Sequence, residues 1–232
     1  MKIIIPIIVF CFSINVFASR PLKSDDAFTL GRKLFQLEIA TEIMNQENLN
    51  LPITSTYGIF DNTDLLLGFS LCNSSTTNSR INFECLNIGF KQQLVSIYGL
   101  DVSTKFQIST EMGNNIFASS SSSIMLITSR SISSFNFHLN FGYAIDNIEN
   151  GNSNLWFASA ACEYLMNDQI TIGIDFGITR NPSIYFSNPI GYSLIGISAK
   201  IFDSFSLDTG INITYDDKSR VDMFTTGLTI QI

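Results

Sequence analysis

The 232 residues are 45% hydrophobic and 14% charged, with 13 Lys and Arg against 20 Asp and Glu, a formal net charge of −7. One substantial domain fits this length and two do not. So acidic a chain presents no basic face to the phosphates of a nucleic acid. A positive mean hydropathy, with no apolar run past the N-terminus approaching the ~20 residues of a membrane helix, requires apolar and polar residues to be interleaved.

Lys2 precedes an apolar run over 3–12, and Val16-Phe17-Ala18 follows with small residues at the −3 and −1 positions. That order predicts a secretory signal peptide over 1–18, cut after Ala18. The next residues, 19–27, are expected as a periplasmic N-terminal segment, and 28–232 as the folded domain.

From there the chain reads in steps of two. Phe35, Leu37, Ile39, Thr41 and Ile43 alternate with Gln36, Glu38, Ala40 and Glu42. Weaker strands follow near 51–60, 64–72, 85–94, 99–109 and 122–131; the phase changes near Cys85, where a bulge is expected. Phe135, Phe137, Leu139, Phe141 and Tyr143 then alternate with Asn136, His138, Asn140 and Gly142. After a strand near 154–166, Ile170, Ile172, Ile174, Phe176 and Ile178 alternate with Thr171, Gly173, Asp175 and Gly177. After another near 190–201, Phe205, Leu207, Thr209, Ile211 and Ile213 alternate with Ser206, Asp208, Gly210 and Asn212, and a last strand fills 222–232. Each segment has one apolar and one polar face. At ~9–11 residues, each is long enough to cross a bilayer when tilted.

The connections sort into two alternating kinds. Asp61-Asn62-Thr63, Ser133-Ser134, Asn167-Asp168 and Asp203-Ser204 are tight; 45–50, 73–84, 110–121, 146–153, 180–189 and 216–220 are long and polar. Short periplasmic turns and long external loops produce this pattern. The four clearest strands carry no charge on the apolar phase, as a lipid-facing surface demands, because an Arg or Lys at the bilayer midplane costs roughly 2–4 kcal/mol. A soluble sandwich would bury that face instead, but it has no reason to sort its loops. The reading is all-β: a transmembrane antiparallel β-barrel of about twelve strands in a bacterial outer membrane, its partners the lipid bilayer and the barrel-assembly machinery. Tyr57, Tyr143, Trp156, Tyr164, Tyr192 and Tyr215 are expected outward near strand ends, as interfacial girdles.

The mature N-terminus Arg20-Pro21-Leu22 with Asp25-Asp26, then Gly31 and Phe35-Gln36-Leu37-Glu38, resembles the opening of the outer-membrane barrels of the phenol meta-pathway degradation family. Phe135-Asn136-Phe137-His138-Leu139-Asn140-Phe141-Gly142-Tyr143 is similar to a central strand of that family. Glu163-Tyr164, Asn167-Asp168, Gly196 and Ser206-Leu207-Asp208-Thr209-Gly210 continue the likeness in order. The resemblance implies a transporter-like barrel, with hydrophobic or aromatic molecules among its small solutes. The chain departs from the pattern by ending in Ile232 rather than an aromatic residue, and by carrying Cys72 and Cys85.

Lumen-lining candidates on the polar phase are Glu38, Glu42, Lys91, Asp101, Lys105, Arg130, His138, Glu163, Asp175, Lys200 and Asp208. His138 is the only histidine, shares its phase with Asn136 and Asn140, and reads as a hydrogen-bonded lumen residue rather than a base. Gly142, Gly173, Gly177 and Gly210 on the same phase leave room inside or let the strands curve. No catalytic, cofactor or metal site is expected. Cys72 and Cys85 flank a long loop and form a candidate disulfide; Cys162 is expected free. Three functions fit: a channel for small solutes, a structural or surface-interaction barrel with a filled lumen, and, distantly, a lipid-acting enzyme.

Overall fold

The computed structural model describes residues 21–44, 48–73, 81–111, 119–146, 154–182, 188–216 and 219–232; the segment expected as a signal peptide lies outside them. Twelve strands form: β1 Phe35–Met44, β2 Asn48–Phe60, β3 Thr63–Asn73, β4 Ile81–Ile97, β5 Leu100–Glu111, β6 Ser119–Ile132, β7 Phe135–Asp146, β8 Asn154–Leu165, β9 Ile170–Thr179, β10 Ile190–Phe202, β11 Phe205–Tyr215 and β12 Arg220–Gln231. Each pairs antiparallel with the next, and β1 closes on β12. Phe35 and Ile232 complete the seam, exchanging backbone hydrogen bonds of 2.7 and 2.9 Å. Closure leaves no open sheet edge, the condition for a β-structure to stand in lipid.

The pleat sets the two faces. On β7, exposed and buried residues alternate without a break from Phe135 to Tyr143. Leu139 is 59% and Phe141 60% exposed, while His138 and Asn140 are 3% and 5%. Exposed apolar side chains continue round the barrel through Leu67, Phe90, Ile108, Ile124, Phe176, Ile195, Ile211 and Phe224. A continuous apolar belt far exceeds what a water-facing monomer exposes, so this surface faces lipid. Tyr57, Tyr143, Tyr164 and Tyr215 are exposed on it near its two ends, and Trp156 stands opposite Tyr143. Tyr192 corrects the girdle reading. It lies opposite Gly177 on the inner face and its hydroxyl reaches Asp175 Oδ1 at 3.1 Å. Leu194 beside it is also inward and buried, so both phases of β10 are apolar and alternation there does not reveal the facing.

Turns at 61–62, 98–99, 133–134, 166–169 and 203–204 gather at the end that holds Phe35 and Ile232. Tyr98 and Gly99 both have positive φ, 51° and 75°, the backbone of a primed two-residue hairpin turn.

The β3–β4 ladder carries a bulge where its register shifts between Ser70 and Leu71. Cys85 faces Ser70 just before the shift, with the Ser70 Oγ at 3.1 Å from its Sγ, and beyond it Cys72 faces Asn82. None of Cys72, Cys85 and Cys162 is in a disulfide. The candidate disulfide is thus corrected: the ladder sets Cys85 opposite Ser70, two residues before Cys72, and the bulge moves Cys72 one residue further, to Asn82. Thiol counting in denaturant without reductant should find three thiols beyond residue 18; a count of one would restore the Cys72–Cys85 bond.

Candidate functional site: a lumen crossed by the N-terminal segment

Residues 21–30 do not lie outside the barrel, where 19–27 were expected. They run across the lumen, hydrogen-bonded to one wall strand after another. Leu30 N–H donates to both Asp64 carboxylate oxygens on β3, at 3.2 and 3.1 Å. Ala27, fully buried, donates its N–H to Ser129 Oγ on β6 at 2.8 Å and accepts the Ser103 hydroxyl of β5. Asp25 is clasped by Asn140 on β7, which accepts its N–H at 2.7 Å and donates to its carbonyl at 2.8 Å. Ser24 Oγ donates to Asp175 Oδ1 on β9 at 2.8 Å and lies 2.8 Å from Ser159 Oγ on β8. The Lys23 and Ser24 N–H groups both donate to Asp175 Oδ2 at 2.7 Å. A segment with no ladder of its own thus satisfies its backbone on side chains, as a buried chain must.

Two ion pairs hold its middle: Lys105 Nζ to Asp25 Oδ2 at 2.8 Å and Lys91 Nζ to Asp26 Oδ1 at 3.4 Å. Burial opposes charging of the Asp25 carboxyl, but Lys105 and Lys91 outweigh it and hold the group below the ordinary carboxylate range. The inner glycines provide the seat. A Cβ at Gly173 would meet Leu22, one at Gly196 would overlap Pro21, and one at Gly210 would press on Pro21; Gly142 and Gly177 make the same room for the Phe157 and Tyr192 rings.

Most of the sequence-derived lumen residues face inward. Glu38 and Glu42 stand on β1, the latter accepting from Asn50 Nδ2 at 2.9 Å. Asp101 accepts from Gln93 Nε2 at 3.0 Å. Lys91 and Lys105 pair with the segment, Asp175 anchors it, and Lys200 pairs with Asp203 at 2.9 Å. Asp208 is buried on β11. Arg130 is the exception. It faces Leu100 and Phe137 on the outer surface and is exposed. It lies just before the turn at 133–134, where its guanidinium can reach past the apolar belt to water. Asp64 and the whole of 21–30 were missed. Asp64 opens a weak strand, and the segment has no periodicity to read.

His138 links Ser129 and Glu163. Its Nδ1 is 2.8 Å from Ser129 Oγ and its Nε2 3.3 Å from Glu163 Oε2, while Asn136 Nδ2 donates to the same Glu163 oxygen at 3.4 Å. The order Ser–His–Glu has the outline of a nucleophilic triad, but Ser129 is 1% exposed and its hydroxyl oxygen already accepts the Ala27 N–H. The cluster braces the segment and presents no reacting atom to a substrate.

Between the segment and the wall made by β1–β5 and β12 lies a cavity of about 350 Å³. Gln36, Glu38, Thr54, Thr56, Gln231 and Lys105 line it on the wall side, with Asp25, Asp26 and Phe28 on the segment side. This volume matches the lower range of small-molecule sites.

No protein-family model matches the chain, and no curated protein matches its sequence. Solved structures do. The NanC porin superposes with a TM-score of 0.67 at 8% identity, over 84% of this chain and 98% of that one. The KdgM porin gives 0.65 at 8%, and the KdgM porin in complex with disordered oligogalacturonate gives 0.64 at 9%, each with the same coverage. Identities this low carry the architecture alone. The chain has the closed twelve-stranded antiparallel fold of outer-membrane porins.

Proposed function

We propose that the protein is a narrow channel of a bacterial outer membrane, passing small hydrophilic solutes through the polar space beside its own N-terminal segment. The observation that carries this reading is the cavity lined by Gln36, Thr54, Thr56 and Gln231, inside a porin-type barrel with a lipid-facing belt. In this reading residues 1–18 are a cleaved signal peptide, and the end with the tight turns and Ile232 faces the periplasm, where the assembly machinery receives the chain. Oligogalacturonate, which accompanies one structural neighbour, is a polyanion; the acid-rich wall here favours a different solute. Aromatic solutes rest on the resemblance to the phenol meta-pathway family, and the inward Phe157, Tyr192 and Met223 supply some apolar surface for them.

The occupied lumen favours a second reading, a structural barrel that conducts nothing. Planar-bilayer recording on refolded protein separates the two. Small, steady current steps are expected, below those of an open barrel of the same strand number; their complete absence in correctly folded protein would favour the filled barrel.

A further inference from the structure

The inner surface is rich in acceptors and poor in donors. Among the described strand residues, Glu38, Glu42, Asp64, Asp101, Asp146, Glu163, Asp175 and Asp208 face inward against only Lys91, Lys105 and Lys200. Each amine is engaged, Lys91 with Asp26, Lys105 with Asp25 and Lys200 with Asp203; Lys23 of the segment sits 4.6 Å over the Tyr192 ring. Glu42, Asp64 and Asp101 instead take hydrogen bonds from neutral groups, the Asn50 amide, the Leu30 N–H and the Gln93 amide.

A second observation is independent of charge. Ser206, Thr229 and Asn212 are 2%, 1% and 2% exposed and face inward on β11 and β12, where Ser206 lies opposite Thr229. Yet Ser206 Oγ, Thr229 Oγ1 and Asn212 Oδ1 have no hydrogen-bond partner. Buried oxygens left without a donor are costly, and an N–H donor admitted beside them by a change of rotamer relieves that cost. We propose that the lumen selects cations, and among small organic cations favours those carrying ammonium N–H donors over those that carry none. Acidic linings filter for cations by the same electrostatics in other pores.

The proposal rests on the channel reading, and one recording tests both separately. Under a tenfold KCl gradient, the reversal potential of the wild-type barrel should lie on the cation side, with K⁺ several-fold more permeant than Cl⁻. In Glu42→Gln/Asp101→Asn, whose neutral replacements keep the shape, that ratio should fall by at least half. Trimethylammonium, with one N–H, should permeate several-fold better than tetramethylammonium, which is close in size and has none. This wild-type comparison stands even if the double variant does not fold. A preference for Cl⁻, a ratio near one, or a double variant as selective as wild type would overturn the cation filter. Equal permeation of the two organic cations would overturn the donor argument, and absence of any current would overturn the channel reading and this inference with it.

Discussion

Asp175→Ala should release the far end of the N-terminal segment and raise the conductance of the reconstituted barrel several-fold. Asp175 accepts three bonds from the segment, from Lys23 N, Ser24 N and Ser24 Oγ, at 2.7, 2.7 and 2.8 Å. Hydrogen bonds to a charged group contribute ~1.5–3 kcal/mol each and do not sum fully, so their joint loss is about 4 kcal/mol. At 1.4 kcal/mol per factor of ten, the seating equilibrium shifts roughly a thousandfold. The barrel itself should survive, because the β8–β9 and β9–β10 ladders are made by backbone groups. Gly196→Val should act in the same direction by sterics alone, since a side chain there overlaps Pro21. Unchanged conductance in both variants would mean that the segment is not held at these points.

The second large effect falls on the outer face. Leu139→Arg places a guanidinium in the middle of the apolar belt and should destabilise the barrel by roughly 2–4 kcal/mol. Thr54→Arg, on the inner wall beside the cavity, should cost much less, because its charge meets the polar space inside. Refolding titrations in urea with lipid vesicles compare the two directly. Equal costs would mean that the two faces have been assigned the wrong way round.

The strand pattern was legible because a lipid-facing phase tolerates no charge. Phe135 to Tyr143 and Phe205 to Ile213 satisfy that rule without exception, and every strand read from alternation is present. Legibility failed where one of the two phases lost its contrast. In β10, Tyr192 and Leu194 point inward beside outward Ile195 and Ile197, so both faces look apolar. In β6, a serine-rich strand, Ser129 faces in and Arg130 out, and a charge beside the turn carries no penalty that would mark its side. At Cys85 the change of phase was visible in the residues, but the register that sets it opposite Ser70 rather than Cys72 is a property of the paired ladder.

The N-terminal segment shows the sharper limit. Pro21-Leu22-Lys23-Ser24-Asp25-Asp26 has the composition of a solvated tail, and its acids read naturally as surface charge. Their partners are far away along the chain: Asp25 meets Lys105, and Ser24 meets Asp175 across a separation of 151 residues. Each half of the match is ambiguous by itself. Lys91 and Lys105 read as lining, Asn140 as a lumen polar residue, and Gly173 and Gly210 as relief for strand curvature. Only closure of the barrel brings them round one extended strip of backbone.

Cross-linking of the segment to the wall tests that placement most directly. In a background with Cys72, Cys85 and Cys162 replaced, Ser24→Cys and Ser159→Cys put two thiols where the hydroxyl oxygens now lie 2.8 Å apart, and a disulfide needs Cβ atoms only ~3.5–4.5 Å apart. With the segment seated in the lumen, mild oxidation of the membrane-embedded protein should leave no titratable thiol, and reductant should restore two. Two thiols that stay free under oxidation, in a barrel shown to be folded, would contradict the seating of residues 21–30 inside the lumen.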